Sequence, residues 1–375
     1  MSSPRLPRLV VGAWTIAAAV IAGLTVAVVH YLSETGSSHG MPGMHMGTAE
    51  AFARAGGSPA GALLGSRLLT AWQLDSVALA VIVVLAAAYL TGVARSTEPW
   101  PVQRTVSFLL GLAVCGYATC GGVAVYDQVL FTAHMGGHLA LVMVAPVLLV
   151  AGYPLSLLLA ASGPSMRARV ESIVTGRVVS LLTAPPVALA SYTVVIVGSH
   201  LTGVMDTVMR HTWAGQVEHL VYLLVGMQFF VLVVGSEPIR WRLGTPVRWL
   251  LLAVAMAVDT FTGVVLLQGT HPVGMLVDPR LHVDALSDTR TGGAIMWFGG
   301  DAIMAAVMII LVVGWLRHVD TEKAEAKGWL EQARVATFAA HTGTETDTTN
   351  VETFDDDDAA RSNYNDWLAQ LDRRG

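Results

Sequence analysis

The sequence predicts an all-α fold, a polytopic membrane helix bundle of about eight transmembrane helices with both termini in the cytoplasm. Hydrophobic residues make up 54% of the 375 residues and charged residues only 13%, roughly half of the charged fraction of an ordinary soluble domain. Apolar runs of about 20 residues, the length needed to cross a bilayer, recur along the chain. Arginines cluster in alternate loops between these runs, as membrane topology requires.

Eight runs are long enough to span, and the fourth carries helix-disturbing prolines. They cover about 9–32, 72–94, 105–125, 134–160, 178–200, 216–235, 248–268 and 291–316. The first is too long for the apolar core of a signal peptide and lacks a small-residue cleavage pattern, so we interpret it as an uncleaved span. In the fourth, Pro146 and Pro154 predict a kink or an early stop.

The loop arginines predict the orientation of the chain, because Lys and Arg are enriched in cytoplasmic loops. One side carries Arg5, Arg8, Arg95, Arg104, Arg167, Arg169, Arg177, Arg240, Arg242, Arg248 and Arg317. The opposite side carries only Arg54, Arg67, Arg210, Arg280 and Arg290. The first side is therefore predicted to face the cytoplasm. The predicted location of the protein is the cell (plasma) membrane. The predicted outer side then holds His30, His39, His45, His134, His138, His200, His211, His219, His271 and His282.

Three regions are predicted. Residues 1–71 hold the first span and an outer loop rich in Met and His, residues 72–317 form a seven-span core, and residues 318–375 form a charged cytoplasmic tail. The tail contains the acidic run Asp355–Asp358 followed by a short amphipathic patch, which together predict docking of a cytoplasmic partner. The alternative to docking is an acidic segment that is simply solvated.

Two cysteines, Cys115 and Cys120, lie in one apolar run and give no sign of a disulfide framework. Nucleotide-binding loops, nucleophile elbows and zincin motifs are missing from the sequence, which argues against an enzyme. No nucleic-acid partner is expected either.

The first outer loop has the composition of a copper-capture segment. Thioethers favour monovalent copper, and imidazole binds either oxidation state, so we expect Cu(I) here. Incidental composition of a disordered loop is the alternative. The candidate ligands are His39, Met41, Met44, His45 and Met46.

A second candidate metal site lies where the fourth span begins. His134 and His138 are four residues apart, so a helix places them on one face. Two interfacial histidines bonded to lipid headgroups or loop carbonyls are the alternative. Spans five and six bring further donors to the same predicted level, where a carboxylate can orient a ligand imidazole. The candidate ligands are His134, Met135, His138, His200, Glu218 and His219.

Asp259 and Asp301 are predicted to be buried polar residues of the seventh and eighth spans. Ionisable groups in hydrocarbon are costly and usually face the bundle interior or a cavity. They could serve protons or metal, or simply hydrogen-bond a neighbouring helix. Among the methionines within spans, Met296 is the other candidate ligand, although methionine more often fills gaps in a core.

Three separated motifs resemble the polytopic CtaG family of cytochrome c oxidase assembly factors, named for caa-type oxidases. They are the segment from His134-Met135-Gly136-Gly137-His138 into Ala145-Pro146, the segment from Glu218-His219 through Phe230, and Ser287-Asp288-Thr289-Arg290-Thr291-Gly292-Gly293 into Met296-Trp297. The resemblance covers about residues 70–317. Thr289 departs from it, since the family often has Gln there.

The resemblance implies a role in delivering copper to the catalytic subunits of a respiratory haem–copper oxidase. The predicted function is therefore a copper-handling assembly factor, or metallochaperone, with oxidase subunits and the lipid bilayer as partners. Two alternatives stay open. The first is a copper transporter or tolerance protein, with Asp259 and Asp301 lining a route. The second is a haem b protein with two axial histidines.

Overall fold

A computed structural model describes residues 71–96, 98–127, 129–205, 208, 212–234, 237–273 and 283–317, with a few positions between 362 and 373. The regular elements in these residues are helical, as the sequence predicts, and none is a strand. The α-helices are α1 (Ser76–Arg95), α2 (Val102–Cys120), α3 (Gly122–Tyr126), α4 (Phe131–Leu139), α5 (Ala145–Ala151), α6 (Pro154–Ala161), α7 (Pro164–Val174), α8 (Arg177–Leu182), α9 (Pro185–Leu201), α10 (Thr212–Val234), α11 (Thr245–Leu267) and α12 (Ala285–Ala294).

Six of the predicted spans correspond to helices that are long and apolar enough to cross a membrane. Their exposed surfaces carry large apolar side chains such as Val81, Leu224 and Phe261, as expected of helices that face lipid. The chain is therefore a multi-pass membrane protein, and its orientation stays a prediction from the arginines. The six helices are Ser76–Arg95, Val102–Tyr126, Phe131–Ala161, Trp213–Val234, Thr245–Leu267 and Ala285–Arg317.

The count of eight spans stays a prediction, because the first span, 9–32, lies outside the described residues. The span predicted over 178–200 is divided into α8 and the 17-residue helix α9. Pro185 and Pro186 cause the division, since a proline lacks an N–H and pushes the preceding residue out of the helical region. Ahead of them, Ala184 has an extended backbone with ψ of 132°.

The described residues up to 308 and those from 309 onward belong to two separate units. The packing described below belongs to the first unit. In the second, the described part consists of residues 309–317, which end the helix that starts at Ala285, and the few positions after 362.

The fourth span departs from α-helical geometry in two places, which confirms the predicted disturbance by proline. A five-residue π-helical segment, Ala140–Val144, separates α4 from α5. In a regular helix the Val142 carbonyl would accept from the N–H of residue 146, which Pro146 lacks. The second break precedes Pro154, where Tyr153 has φ of 53°.

The Val142 carbonyl lies against helix α10 at Gly226. A Cβ atom on Gly226 would overlap this carbonyl and lie 2.6 Å from Cγ of Pro146. A glycine is needed for two backbones to approach so closely. This contact seats α10 against the span that contains His134 and His138.

We expect Gly226→Ala to lower the free energy of unfolding by about 1–3 kcal/mol, the usual cost of overpacking. The added methyl meets a backbone carbonyl, which cannot move aside as a flexible side chain can. Denaturant unfolding in detergent micelles measures the change. Gly215→Ala is the matched control on the same helix, because a Cβ there meets nothing within 4 Å. A similar loss in both variants would contradict the prediction.

The loops fall at two ends of the helix bundle. At the end near the arginines, the buried Glu237 carboxylate accepts from the backbone N–H of Leu155 at 3.0 Å and of Ser156 at 2.9 Å, and so caps α6. At the other end, α4 and α10 begin and α9 ends. The chemistry described next is confined to that second end.

Candidate metal centre

The helix that carries both motif histidines is anchored at its first turn by a residue from far along the sequence. The Asp288 carboxylate of α12 accepts from the backbone N–H of Phe131 at 2.6 Å and from the Thr132 hydroxyl at 2.5 Å. Free N–H groups at a helix start need such partners, and the helix dipole favours a negative charge there. Asp288 therefore fixes where α4 begins, and with it the position of His134.

His134 is completely buried, and one of its ring nitrogens is held by a carboxylate. Its Nδ1 lies 2.7 Å from Oδ1 of Asp127, which sits in the loop between α3 and α4. Because a carboxylate only accepts, the Nδ1–H of His134 donates. The lone pair of the neutral ring is then on Nε2, and this atom has no hydrogen-bond partner.

Asp127 keeps its charge despite its burial. Burial by itself would raise the pKa of this carboxyl, but the positive charge of His134 in its protonated form and the hydrogen bond from its Nδ1–H outweigh burial and hold the pKa well below the usual range. An ionised Asp127 makes the His134 imidazole a better electron donor and fixes its orientation, as carboxylate partners of metal-binding histidines do.

His138 is oriented by a second chain of hydrogen bonds that runs through His200. The Nδ1 of His200 lies 2.8 Å from the Ile196 carbonyl, so it donates and leaves Nε2 of His200 as an acceptor. That Nε2 lies 3.0 Å from Nδ1 of His138. His138 therefore donates from Nδ1, and its lone pair is on Nε2, which again has no hydrogen-bond partner.

The two free imidazole nitrogens converge on Glu218. Oε2 of Glu218 lies 3.6 Å from Nε2 of His134 and 3.5 Å from Nε2 of His138. Glu218 is 7% exposed, and neither of its carboxylate oxygens has a hydrogen-bond partner. His134, His138 and Glu218 can thus offer three ligand atoms within 4.8 Å of one another. Buried polar atoms are normally paired, so this cluster has the properties of a preformed metal site.

Tyr222 forms one wall of the cluster. Its ring lies 4.1 Å from the His138 ring, centroid to centroid, and its hydroxyl donates to the Ser199 hydroxyl. Tyr222 follows Glu218 by one helical turn on α10. The side chain therefore limits rotation of the His138 ring.

The remaining predicted ligands of this region lie around the cluster. His219 is next to Glu218 but is not one of the three converging ligands; its Nε2 lies 3.8 Å from Oδ2 of Asp127. His200 lies behind His138, as described. Met135 is fully buried on the side of α4 that packs toward Gly292 of α12. Met296 is buried in the π-helical segment Ile295–Gly299, which directly follows α12.

Asp259 and Asp301 lie deeper in the bundle. Asp259 is fully buried and accepts from the Tyr192 hydroxyl at 2.8 Å, while its Oδ1 has no partner. Asp301 is partly buried and accepts from the Thr260 hydroxyl at 3.0 Å. Each acid thus bonds a neighbouring helix, the structural alternative considered above.

Several other predicted residues fall outside the described part of the chain. His271 is exposed beside Thr270, and both cysteines are free and buried. The outside residues include the whole predicted copper-capture loop, with His39, Met41, Met44, His45 and Met46. They also include His30, His211 and His282.

Sequence reasoning missed Asp127, Asp288 as a helix cap, and Tyr222. The spacing of Asp127 gave a signal, since an acid seven residues before His134 follows directly on an apolar run. The spacing of Tyr222 also gave a signal, because it follows Glu218 by four residues and a helix places the two on one face. Asp288 lay inside a recognised motif, but nothing local to it indicated a partner more than 150 residues away in the sequence.

Comparison with known proteins identifies a family to which the chain is similar. The family model described as cytochrome c oxidase caa3 assembly factor (Caa3_CtaG) matches residues 87–318, which include the cluster and Asp288. No solved structure matches the chain.

Among curated proteins, an uncharacterized protein of Mycobacterium bovis is 31% identical over 267 residues, covering 68% of this chain and 40% of that protein. An uncharacterized protein of Mycobacterium leprae is 30% identical over 266 residues, covering 67% of this chain and 40% of its own length. The chain thus spans less than half the length of the curated relatives that it matches.

Proposed function

Because this chain belongs to the family of cytochrome c oxidase caa3 assembly factors, we propose that it handles copper for a respiratory haem–copper oxidase. It takes up copper on the outer face of the cell membrane and passes it to an oxidase subunit. The observation that carries the proposal is the convergence of His134, His138 and Glu218 with unpaired, buried ligand atoms.

The position of the site suits transfer of a metal to a partner protein. His134 is the fourth residue of α4, and His200 is the second-last residue of α9, so the cluster lies near one end of the bundle. Three protein ligands leave a coordination position free, as sites that exchange ligands require. A docked oxidase subunit can offer its own ligand at that position and withdraw the ion.

Deletion of the resident gene of this family in a bacterial host, followed by complementation, tests the proposal. We expect the wild-type chain to restore both oxidase activity and the copper content of the isolated oxidase, and a His134→Ala, His138→Ala variant to restore neither. His271→Ala, an exposed histidine away from the cluster, is the matched control. Normal oxidase metallation with the double variant would overturn the proposal.

Transport is the second candidate, and the unpaired Oδ1 of the fully buried Asp259 is the observation that favours it. Copper uptake into sealed vesicles separates the two functions, since an assembly factor without transport activity gives none. The third hypothesis, ligation of haem b by two histidines, has less support than copper handling or copper transport. That alternative needs two histidines on different helices. In the described residues, His138 of α4 and His200 of α9 are joined by a 3.0 Å contact between Nδ1 and Nε2, and the rings of His134 and His138 lie 3.9 Å apart, so neither pair leaves room for a porphyrin. A Soret band in the absorption spectrum of the purified protein would instead support the haem b hypothesis.

A further inference from the structure

We infer that the His134–His138–Glu218 site is selective for a divalent ion, Cu(II) ahead of Zn(II), rather than for Cu(I). The inference rests on the proposed function and specifies the oxidation state of its cargo at this site. It differs from the Cu(I) expected from the composition of the outer loop. Three properties of the site support it: the donor atoms, the charge and the geometry.

The donor atoms are two imidazole nitrogens and a carboxylate oxygen. Thioether and thiolate sulfurs select monovalent copper, whereas imidazole with carboxylate suits divalent ions. Met135 is one residue from His134, about 100° round the helix, and packs toward Gly292 instead. Cys120 bonds Thr119 and the Asp75 carbonyl. In the described part of the chain, neither sulfur belongs to the cluster.

The charge of the site matches a dication. When they bind an ion through Nε2, His134 and His138 are neutral ligands and Glu218 contributes a carboxylate, while the Asp127 carboxylate lies behind His134 at 2.7 Å from its Nδ1. Both acidic residues are buried, and an unbalanced charge is costly there. A divalent ion neutralises the pair, whereas a monovalent ion leaves one negative charge buried.

Two of the three separations between the ligand atoms fit attachment to one ion with a further position open. Zn(II) and similar ions bind His nitrogen and carboxylate oxygen at about 2.0–2.2 Å. With such bond lengths, separations of 3.5 and 3.6 Å between Oε2 of Glu218 and the two Nε2 atoms correspond to angles of roughly 115–120° at the ion. These angles lie between trigonal and tetrahedral. The order of affinities among divalent ions then places Cu(II) ahead of Zn(II).

Metal titrations of the purified full-length protein in detergent test the inference. Cu(II) is followed by electron paramagnetic resonance, Zn(II) by competition with Cu(II), and Cu(I) against a Cu(I)-specific chelator without oxygen. We expect one Cu(II) bound with hyperfine coupling to two nitrogens, weaker Zn(II), and Cu(I) binding at this site at least tenfold weaker than Cu(II).

Variants at Glu218 identify the site and the reason for its preference. Glu218→Gln keeps an oxygen but removes the charge, so we expect a loss of Cu(II) affinity of more than tenfold with little change for Cu(I). Glu218→Met supplies a thioether and should shift the preference toward Cu(I). Glu171→Gln, an exposed carboxylate on α7, is the control and should match the wild type. Unchanged thermal unfolding shows that each variant is folded.

The outcomes separate the inference from the proposed function. Tighter binding of Cu(I) than of Cu(II) at the cluster overturns the inference and leaves copper handling in place. Equal Cu(II) affinity in wild type and Glu218→Gln also overturns it, because the carboxylate would then not be a ligand. Absence of any copper binding that depends on His134 and His138 overturns both.

Discussion

Replacing His138 with alanine should abolish stoichiometric metal binding by the purified protein. The substitution removes one of the three ligand atoms and also breaks the hydrogen bond to His200, whose Nε2 is then left without a partner. We expect a larger loss of affinity than the about 10- to 100-fold that removal of an outer partner costs. Chelator competition with metal analysis of the washed protein measures it.

The control for this variant is His271→Ala, since His271 is exposed and contacts Thr270 rather than the cluster. His138→Ala should unfold at a lower temperature than His271→Ala, because it leaves the buried Nε2 of His200 unpaired, but a single cooperative transition above the assay temperature shows that the loss of binding is not a loss of fold. Retention of one tightly bound ion per chain after His138→Ala would show that the ion binds elsewhere.

Replacing Asp127 with asparagine should weaken metal binding by about 10- to 100-fold without changing its stoichiometry. An amide can still accept from Nδ1 of His134, but it lacks the negative charge that strengthens the imidazole as a ligand. Asp127 touches no metal in this scheme, so it is a positioning residue. Its substitution should also alter the nitrogen hyperfine coupling of bound Cu(II), which a purely structural role would leave unchanged.

Glu98→Gln provides the matching control for Asp127→Asn, because Glu98 is an exposed carboxylate in a loop at the other end of the bundle. Asp127→Glu should recover part of the affinity, since it restores the charge with a longer side chain. An Asp127→Asn protein with wild-type affinity and an unchanged spectrum would remove Asp127 from the site.

Hydropathy predicted most of the described fold because a bilayer imposes length and composition on any helix that crosses it. Six long helices match predicted spans within a few residues. The run over 178–200 was predicted as one span because its hydropathy is continuous, whereas Pro185 and Pro186 divide the backbone. Pro146 predicted a disturbance in the fourth span, but hydropathy could not predict its π-helical form at Ala140–Val144 or the approach of Gly226 to the Val142 carbonyl.

The site was predictable in its candidates but not in their roles. A four-residue spacing put His134 and His138 on one face of α4, and the motif Glu218-His219 marked α10. Adjacent residues on a helix point about 100° apart, so only the rotation of α10 in the bundle determines that Glu218 faces the imidazoles and His219 does not. From the sequence, His200 could bind metal or another histidine. Only the distance between α9 and α4 in the folded bundle shows that its Nε2 lies 3.0 Å from Nδ1 of His138.

The cap that Asp288 places on α4 has a consequence for the order of events during synthesis. The ribosome releases Asp127, His134 and His138 first, then His200 and Glu218, and Asp288 only with the final described span. Until that span has entered the membrane, the first turn of the histidine helix lacks its anchor. A nascent chain is therefore expected to lack the ordered cluster, and the proposed metal loading to begin only once membrane insertion is complete.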